Sequence, residues 1–493
     1  MAISRCLRTR TAFLSPLDQL NSSFYIRWSL VLHAKDRDKA VYRLSKGLNA
    51  VTSTLPFLKG RINYHTDNAN NKITSASRAV ISMSDDSPNL SLRELRPSKD
   101  LPSLARIKQQ GAPSHLFTDD LYSLPIFIDT TSKQSHPVLK TTYAPIEGGL
   151  ILNICVHHGV MDGQGLATLT DLWALFTRQQ DQNENEVQQP KNLPEPDEPL
   201  TRTARLAAAL NATADPEITD IETSLQRYRN DRILEQNIAP STGDSRKKTS
   251  RIFAFSSDKL KDAKEVLANN GCHVTTNSIL NAAVWSNLTR VRLSRRTQLP
   301  PTPFARFTQM VDGRRQLLPK INKPGPYMGN VVLTSSADVS LDTLVTTGFF
   351  NYLSVSLMAP VAQAIYDASR KVTTEYIDGF LKTLQKVDDP ARLGIGSMSQ
   401  HGVDFISTSV ANAPFYECDF GPSLSEDSAS GNEGKPVFVR YPYIDWADGN
   451  MILLPRRVQP TGLDETIEAH IMLAEEDLVA LAEDPGFCSW LKE

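Results

Sequence analysis

No apolar run in this sequence approaches the roughly 18–20 residues that a bilayer demands of a spanning helix, so no segment reads as a membrane anchor. Cysteine is scarce. The five present (Cys6, Cys155, Cys272, Cys418 and Cys488) are scattered, odd in number and never arranged as CxxC. That pattern suits neither a disulfide framework nor a structural zinc site. Neither sign of charge is in excess: 53 Lys and Arg face 55 Asp and Glu, a net charge of −2. A nucleic-acid partner held by a broad basic field is excluded, and so is a polyacidic disordered chain. The opening MAISRCLRTRTAFLSPLDQL has basic residues but no apolar stretch behind them, which rules out a secretory signal. Arg5, Arg8 and Arg10 leave a mitochondrial presequence conceivable, although Pro16 and Asp18 follow quickly. A GxSxG nucleophile elbow is also missing. These absences leave a soluble, cytoplasmic protein in a reducing setting, handling small and largely uncharged molecules.

The chain itself has 493 residues, 40% hydrophobic and 22% charged, enough for large cores and about three domains by length. The segment from Arg178 to Pro199 is polar and proline-rich, so it reads as a linker. It divides the chain into 1–178, a crossover at 179–200, and 201–493. Pro422 to Gly434 and Ser241 to Ser250 read as exposed loops. Val41, Leu44, Leu48, Val51 and Leu55 recur at helical steps, with Asp38 as a candidate N-cap. Leu139–Ala144 and Leu150–Val156 flank Gly148-Gly149 and read as a hairpin, followed by a helix through Leu166, Leu169, Trp173 and Phe176. Further on, Ser278–Val291 reads as a helix, and Pro360 opens one long helix reaching Leu384. Strands are expected at Val331–Thr334, Val403–Ser407, Val437–Tyr441 and Glu468–Leu473. Interleaved helices and strands give an α/β class.

Chemistry concentrates between the apolar strand and its helix, in Val156-His157-His158-Gly159-Val160-Met161-Asp162-Gly163-Gln164-Gly165. Adjacent side chains on an extended backbone point to opposite faces, so one imidazole can face a cavity while the other is locked in packing. An imidazole titrates near neutrality and can take a proton from a hydroxyl or amine attacking an acyl group, worth about 10²–10⁴-fold in rate. Two adjacent histidines make a poor zinc pair. A purely structural alternative has both rings hydrogen-bonded in the core and Asp162 capping the next helix.

His158-Gly159-Val160-Met161-Asp162-Gly163 resembles the HxxxDG motif of the CoA-dependent acyltransferases known as the BAHD family. With His157 included, it also resembles the HHxxxDG motif of nonribosomal-peptide condensation domains. A second landmark favours the first: Asp419-Phe420-Gly421 looks like the start of the family's DFGWG motif, where BAHD enzymes place it. Leu14-Ser15-Pro16-Leu17-Asp18 resembles the LSPLD opening. Thr275-Thr276-Asn277-Ser278 leading to Trp285 and Thr289-Arg290-Val291-Arg292 is similar to the STND…W…RAR helix. Val311-Asp312-Gly313-Arg314-Arg315 with Tyr327-Met328-Gly329-Asn330 resembles VDGR…YxGN, and Asp484-Pro485-Gly486-Phe487 has the shape of the family's C-terminal end. The combination resembles the fungal branch of the family.

The resemblance implies two chloramphenicol-acetyltransferase-like α/β domains with a solvent tunnel between them. Acetyl-CoA, or another acyl-CoA, enters from one side as cosubstrate and an alcohol or amine acceptor, a hydroxylated secondary metabolite, from the other. It implies His158 as general base, Asp162 as a structural residue paired with Arg290 or Arg292, Thr408 as an oxyanion donor, Gly163 as a motif glycine, no metal and a monomeric chain. Lys259, Lys261 and Thr276 are candidates to hold CoA, as is the basic run Arg246-Lys247-Lys248. After Gly421 the pattern breaks: Pro422 replaces Trp-Gly, and Gly-Lys-Pro returns only at Gly434-Lys435-Pro436, the mark of an insertion. A condensation-type enzyme fed by carrier proteins and a catalytically silent binding protein on the same fold remain as alternatives.

Overall fold

In a computed structural model, residues 9–66, 77–84, 87–131, 134–180, 193–196, 198–210, 232–234, 246–295, 300, 302–348, 352–387, 390, 393–395, 402–426, 434–457 and 466–492 are described. Most of the linker and part of the 422–434 insertion lie outside them. The first part of the chain supplies β1 (Thr9–Phe13), β2 (Tyr25–His33), β3 (Arg61–Thr66), β4 (Ser77–Ser84), β5 (Leu92–Glu94), β6 (His136–Pro137), β7 (Leu139–Ile146) and β8 (Gly149–His157). Then follow β9 (Arg232–Leu234), β10 (Lys248–Ser256), β11 (Phe304–Asp312), β12 (Val332–Ser340) and β13 (Leu393–Ile395). The last are β14 (Phe405–Ser409), β15 (Phe438–Arg440), β16 (Asn450–Leu453) and β17 (Thr466–Ala474).

A five-stranded sheet runs β15-β2-β8-β7-β5, and a six-stranded sheet runs β10-β17-β16-β14-β11-β12. At the centre of the first, β8 is buried at every residue. Its alternate side chains explain why. Leu150, Leu152, Ile154 and Val156 enter one core with the helices Arg37–Thr54 and Gly163–Gln179, while Ile151 and Cys155 enter a second core on the other face. A strand covered on both faces has no room for the usual polar alternation. In the second sheet, Met451, Leu453, Ala469 and Ile471 meet the helices Ser257–Asn269 and Thr276–Ser294. The opposite face, carrying Ile252, Ile452 and Leu454, packs against the N-terminal core. The two halves therefore meet across that face.

Sheet membership does not follow the division at 178–200 throughout. β15, far into the second half, pairs antiparallel with β2 through Phe438↔Val31 and Arg440↔Ser29. Ala413, Phe415, Cys418 and Phe420 likewise sit in the N-terminal core. Conversely Leu17 and Leu20 share a cluster with Ile377, Phe380 and Leu384. Two local expectations also shift. The helix at Arg37–Thr54 is capped by Asp36, which accepts from the Lys39 amide at 3.0 Å, rather than by Asp38. The long helix from Pro360 is two, Ala359–Arg370 and Thr374–Lys386, because the Thr373 hydroxyl caps a new start. Gly329 marks a close approach: a Cβ there would lie 2.7 Å from Arg202 Nε.

Candidate active site

β8 ends at His157, and the helix Gly163–Gln179 begins one tight turn later, so the turn between them is held at both ends. The two histidines part as the alternation requires. His157 is fully buried; its Nδ1 accepts from the Gly159 amide at 3.2 Å, and its Nε2 contacts the Tyr64 hydroxyl at 3.1 Å. Burial pushes this ring down to about 3, with His136 and His158 adding to the effect, so it is neutral and structural. His158 is half-buried and packs edge-on against Phe24 with centroids 4.6 Å apart. Its amide bonds the Phe24 carbonyl, and its carbonyl accepts from Asn330 Nδ2 at 2.7 Å. Burial also lowers the His158 imidazole below 6.5, opposed by its own carbonyl and by Asp162. A neutral imidazole near pH 7 is the form that can accept a proton.

Asp162 caps the helix, accepting from the Gln164 and Gly165 amides at 3.1 and 3.0 Å. Its carboxylate also takes two bonds from Arg314, at 2.7 and 2.9 Å, and one from the Val331 amide at 3.1 Å. Burial alone raises this carboxyl, but the Arg314 guanidinium and the amide donors outweigh it and hold the carboxyl below its usual range. The expected partners were Arg290 and Arg292, and neither reaches Asp162. Arg290 pairs with Asp484, and Arg292 with Asp477 and Asp448, behind the six-stranded sheet. Arg314 stands instead at the start of the short helix Arg314–Leu317, at the end of β11.

A strap from the second half, Tyr327 to Val331, runs beneath the histidine turn. Arg314 also bonds the Gly329 carbonyl, and a Cβ on Gly165 would sit 2.1 Å from the Met328 carbonyl oxygen, so only glycine fits there. Asn330 donates to Asp18 Oδ1 at 2.8 Å, from its side chain and its amide alike. Asp18 in turn pairs with Arg202, which bonds Glu198 at 2.7 Å, all three fully buried. Buried charges persist only when paired in this way. The LSPLD, HxxxDG and YxGN segments are thus one network. Arg314 and Asn330 were missed as site residues, although the quoted VDGR and YxGN motifs contain them.

Thr408 lies near the end of β14. It is half-buried on β14, and two residues on, Val410 Cγ1 lies 2.9 Å from where a Cβ on Gly163 would be. Asp419, Phe420 and Gly421 lie elsewhere. Asp419 pairs with Arg178 at 2.9 Å and accepts from the Gly421 and Gly434 amides, while Phe420 packs on Trp173. The split motif is therefore closed at its base, Gly434 meeting Gly421 across the insertion. The CoA candidates do not gather at the turn. Lys259 bonds the Leu491 carbonyl at 3.0 Å, Lys261 pairs with Asp258, and Thr276 opens the helix capped by Thr275, all behind the six-stranded sheet. Arg246 pairs with Asp448 and Asp477, and Lys247 with Glu475.

Known proteins resemble this chain. A profile of the Transferase family matches residues 127–487, and one of the trichothecene 3-O-acetyltransferase-like N-terminal domain matches residues 24–175. A trichothecene 8-O-acetyltransferase of Fusarium sporotrichioides is 96% identical over 493 residues, covering 100% of both chains. The crystal structure of F. sporotrichioides TRI101 complexed with coenzyme A and T-2 superposes with a TM-score of 0.71 at 20% identity, covering 97% of this chain and 99% of that one. Vinorine synthase does so with a TM-score of 0.55 at 16% identity, covering 99% and 98%. The expected two-domain acyltransferase fold is thereby shown, and no helix among the described residues is long and apolar enough to cross a membrane. The chain belongs to the Transferase family of BAHD-type acyltransferases.

Proposed function

We propose that this enzyme transfers the acetyl group of acetyl-CoA to the 8-hydroxyl of a trichothecene, with His158 as general base. The observation that carries the reading is the 96% identity to a trichothecene 8-O-acetyltransferase across the whole of both chains. The geometry supports it. His158 Nδ1 is buried, which leaves Nε2 to take the proton of the acceptor hydroxyl. The hydroxyl oxygen attacks the thioester carbonyl carbon, and a tetrahedral oxyanion forms. Thr408, near the end of the strand that leads to Val410 beside the turn, donates to that oxygen. Collapse breaks the carbon–sulfur bond, and the imidazolium returns its proton to the departing CoA sulfur. Asp162 touches no substrate in this scheme; bound to Arg314 and to the helix start, it keeps the turn in shape.

The reading extends to a monomer and to the cytoplasm, the latter supported by buried, unpaired Cys155, Cys272 and Cys418, as a reducing compartment permits. Incubating the purified enzyme with acetyl-CoA and a trichothecene bearing a free 8-hydroxyl tests the function. Release of free CoA thiol together with the 8-acetyl ester is expected, and His158→Ala should lower the rate about 10²–10⁴-fold at an unchanged melting temperature. A His158→Ala enzyme with near-native turnover refutes the mechanism.

A further inference from the structure

The ladder between β2 and β8 ends at the pair Tyr25↔His157, so the peptide that joins His158 to Gly159 lies just past the sheet. Side chains meet both of its polar groups instead. The His158 carbonyl accepts from Asn330 Nδ2 at 2.7 Å, and the Gly159 amide donates to His157 Nδ1 at 3.2 Å. A peptide unit is a rigid plane that includes the Cα atoms at its two ends. Holding its C=O from one side and its N–H from the other therefore fixes its tilt. The His158 side chain springs from one of those Cα atoms, so the tilt of the plane aims the imidazole.

Both holding side chains are themselves locked in one state. Asn330 is fully buried, and its Nδ2 gives one proton to the His158 carbonyl and the other to Asp18 Oδ1 at 2.8 Å. Its Oδ1 accepts from Asn21 Nδ2 at 3.2 Å. An amide turned end for end would set its oxygen against a carboxylate and a carbonyl, so only this orientation works. His157 is fixed by Tyr64. The Tyr64 hydroxyl donates to the Ser22 carbonyl, which leaves its oxygen to accept from His157 Nε2. The proton of this neutral ring thus sits on Nε2, and Nδ1 is the acceptor that the Gly159 amide needs. Nor does Asp18 depend on the Asn330 side chain. Without it the carboxylate keeps the Ser15 hydroxyl, the Arg202 guanidinium and the Asn330 main-chain amide. Its loss would orphan the His158 carbonyl and no charge.

We propose that Asn330 and His157 are positioning residues for the reaction, clamping the His158–Gly159 peptide at the tilt that aims the His158 imidazole at the acceptor hydroxyl; this rests on His158 as the general base, as proposed above. Asp162 and Arg314 shape the turn from its helix end, whereas the clamp acts on the one peptide that adjoins the base.

Steady-state kinetics of Asn330→Leu, His157→Leu and His157→Asn test this, at a temperature where melting curves show each variant fully folded. Asn330→Leu and His157→Leu should each lower kcat about 10–100-fold, the usual cost of letting a reacting group drift. The KM values for acetyl-CoA and for the trichothecene should both stay at the wild type, because the clamp touches neither substrate. His157→Asn should recover much of the kcat lost in His157→Leu, since an asparagine Oδ1 stands where Nδ1 stands and accepts from the Gly159 amide. That comparison decides the matter whether or not Asn330→Leu folds. An unchanged kcat in Asn330→Leu, equal kcat values in the two His157 variants, or a rise in KM with kcat unchanged overturns the clamp. A His158→Ala enzyme with near-native turnover overturns the base and the clamp with it. An inactive His158→Ala beside a wild-type kcat in Asn330→Leu overturns the clamp alone.

Discussion

His157 and His158 are neighbours in sequence with opposite surroundings, the first closing β8 and the second opening the turn that follows. One ring is sealed between Tyr25 and Tyr64, while the other keeps a partly open edge. With the His158 imidazole lowered beneath 6.5 by burial, its neutral form persists into mildly acidic solution. The acid limb of kcat/KM for the acceptor should therefore have its midpoint below 6.5, and a midpoint at or above 6.5 contradicts the assignment of this ring as the base. The Asp162–Arg314 pair allows a second test at this scale. Arg314→Met leaves a buried carboxylate without its counter-charge, and about 3–5 kcal/mol of stability should be lost in denaturant unfolding. The double variant Asp162→Asn, Arg314→Met should recover much of it, because no isolated charge remains. Recovery would be absent if Asp162 depended on another cation.

At the scale of elements, glycine decides how closely the two halves approach. Gly165→Ala puts a methyl group against the Met328 carbonyl, which is backbone and cannot swing aside. A loss of at least about 1–3 kcal/mol is expected, with activity falling as the strap moves. Gly163→Ala meets only the Val410 side chain, so its melting temperature should fall less. The reverse order would show that the strap yields more readily than the valine. The elements themselves were largely legible in the sequence. The hairpin, the helix after it and the strand at Glu468–Leu473 carry strong local patterns, and each is present with shifted ends. What escaped was tertiary. Arg290, Arg292 and Arg314 all stand in motif segments, and nothing local says which guanidinium folds back onto Asp162. The apolar rhythm from Ile365 to Leu384 runs straight through the break at Thr373, since Val372 is buried as well and disguises the new cap.

Among the described residues, His157 and His470 are held neutral deep in the interior. His157 and His470 are both pushed down to about 3 by burial, against 6.5 in an unfolded chain. The unfolded state thus binds more protons throughout that interval. Stability from these groups is complete above about pH 6.5 and is lost progressively as the pH falls toward 3. Equilibrium unfolding followed from pH 7 to pH 4 should show this decline, and His470→Leu should flatten part of it. A slope unaltered by that substitution would mean that His470 is not held neutral in the fold.

The pairing of β15 with β2 also sets an order of events during synthesis. The hydrogen-bonding edge of β2 is made early, yet its partner emerges only after most of the chain has left the ribosome. Until then the N-terminal sheet has an open edge and a core lacking Phe415 and Phe420. Open edges recruit other chains, and contacts this distant in sequence form slowly. A nascent chain of this enzyme therefore has a long window of exposure to aggregation, and its yield in a foreign host should depend on chaperone supply more than on the stability of the finished fold.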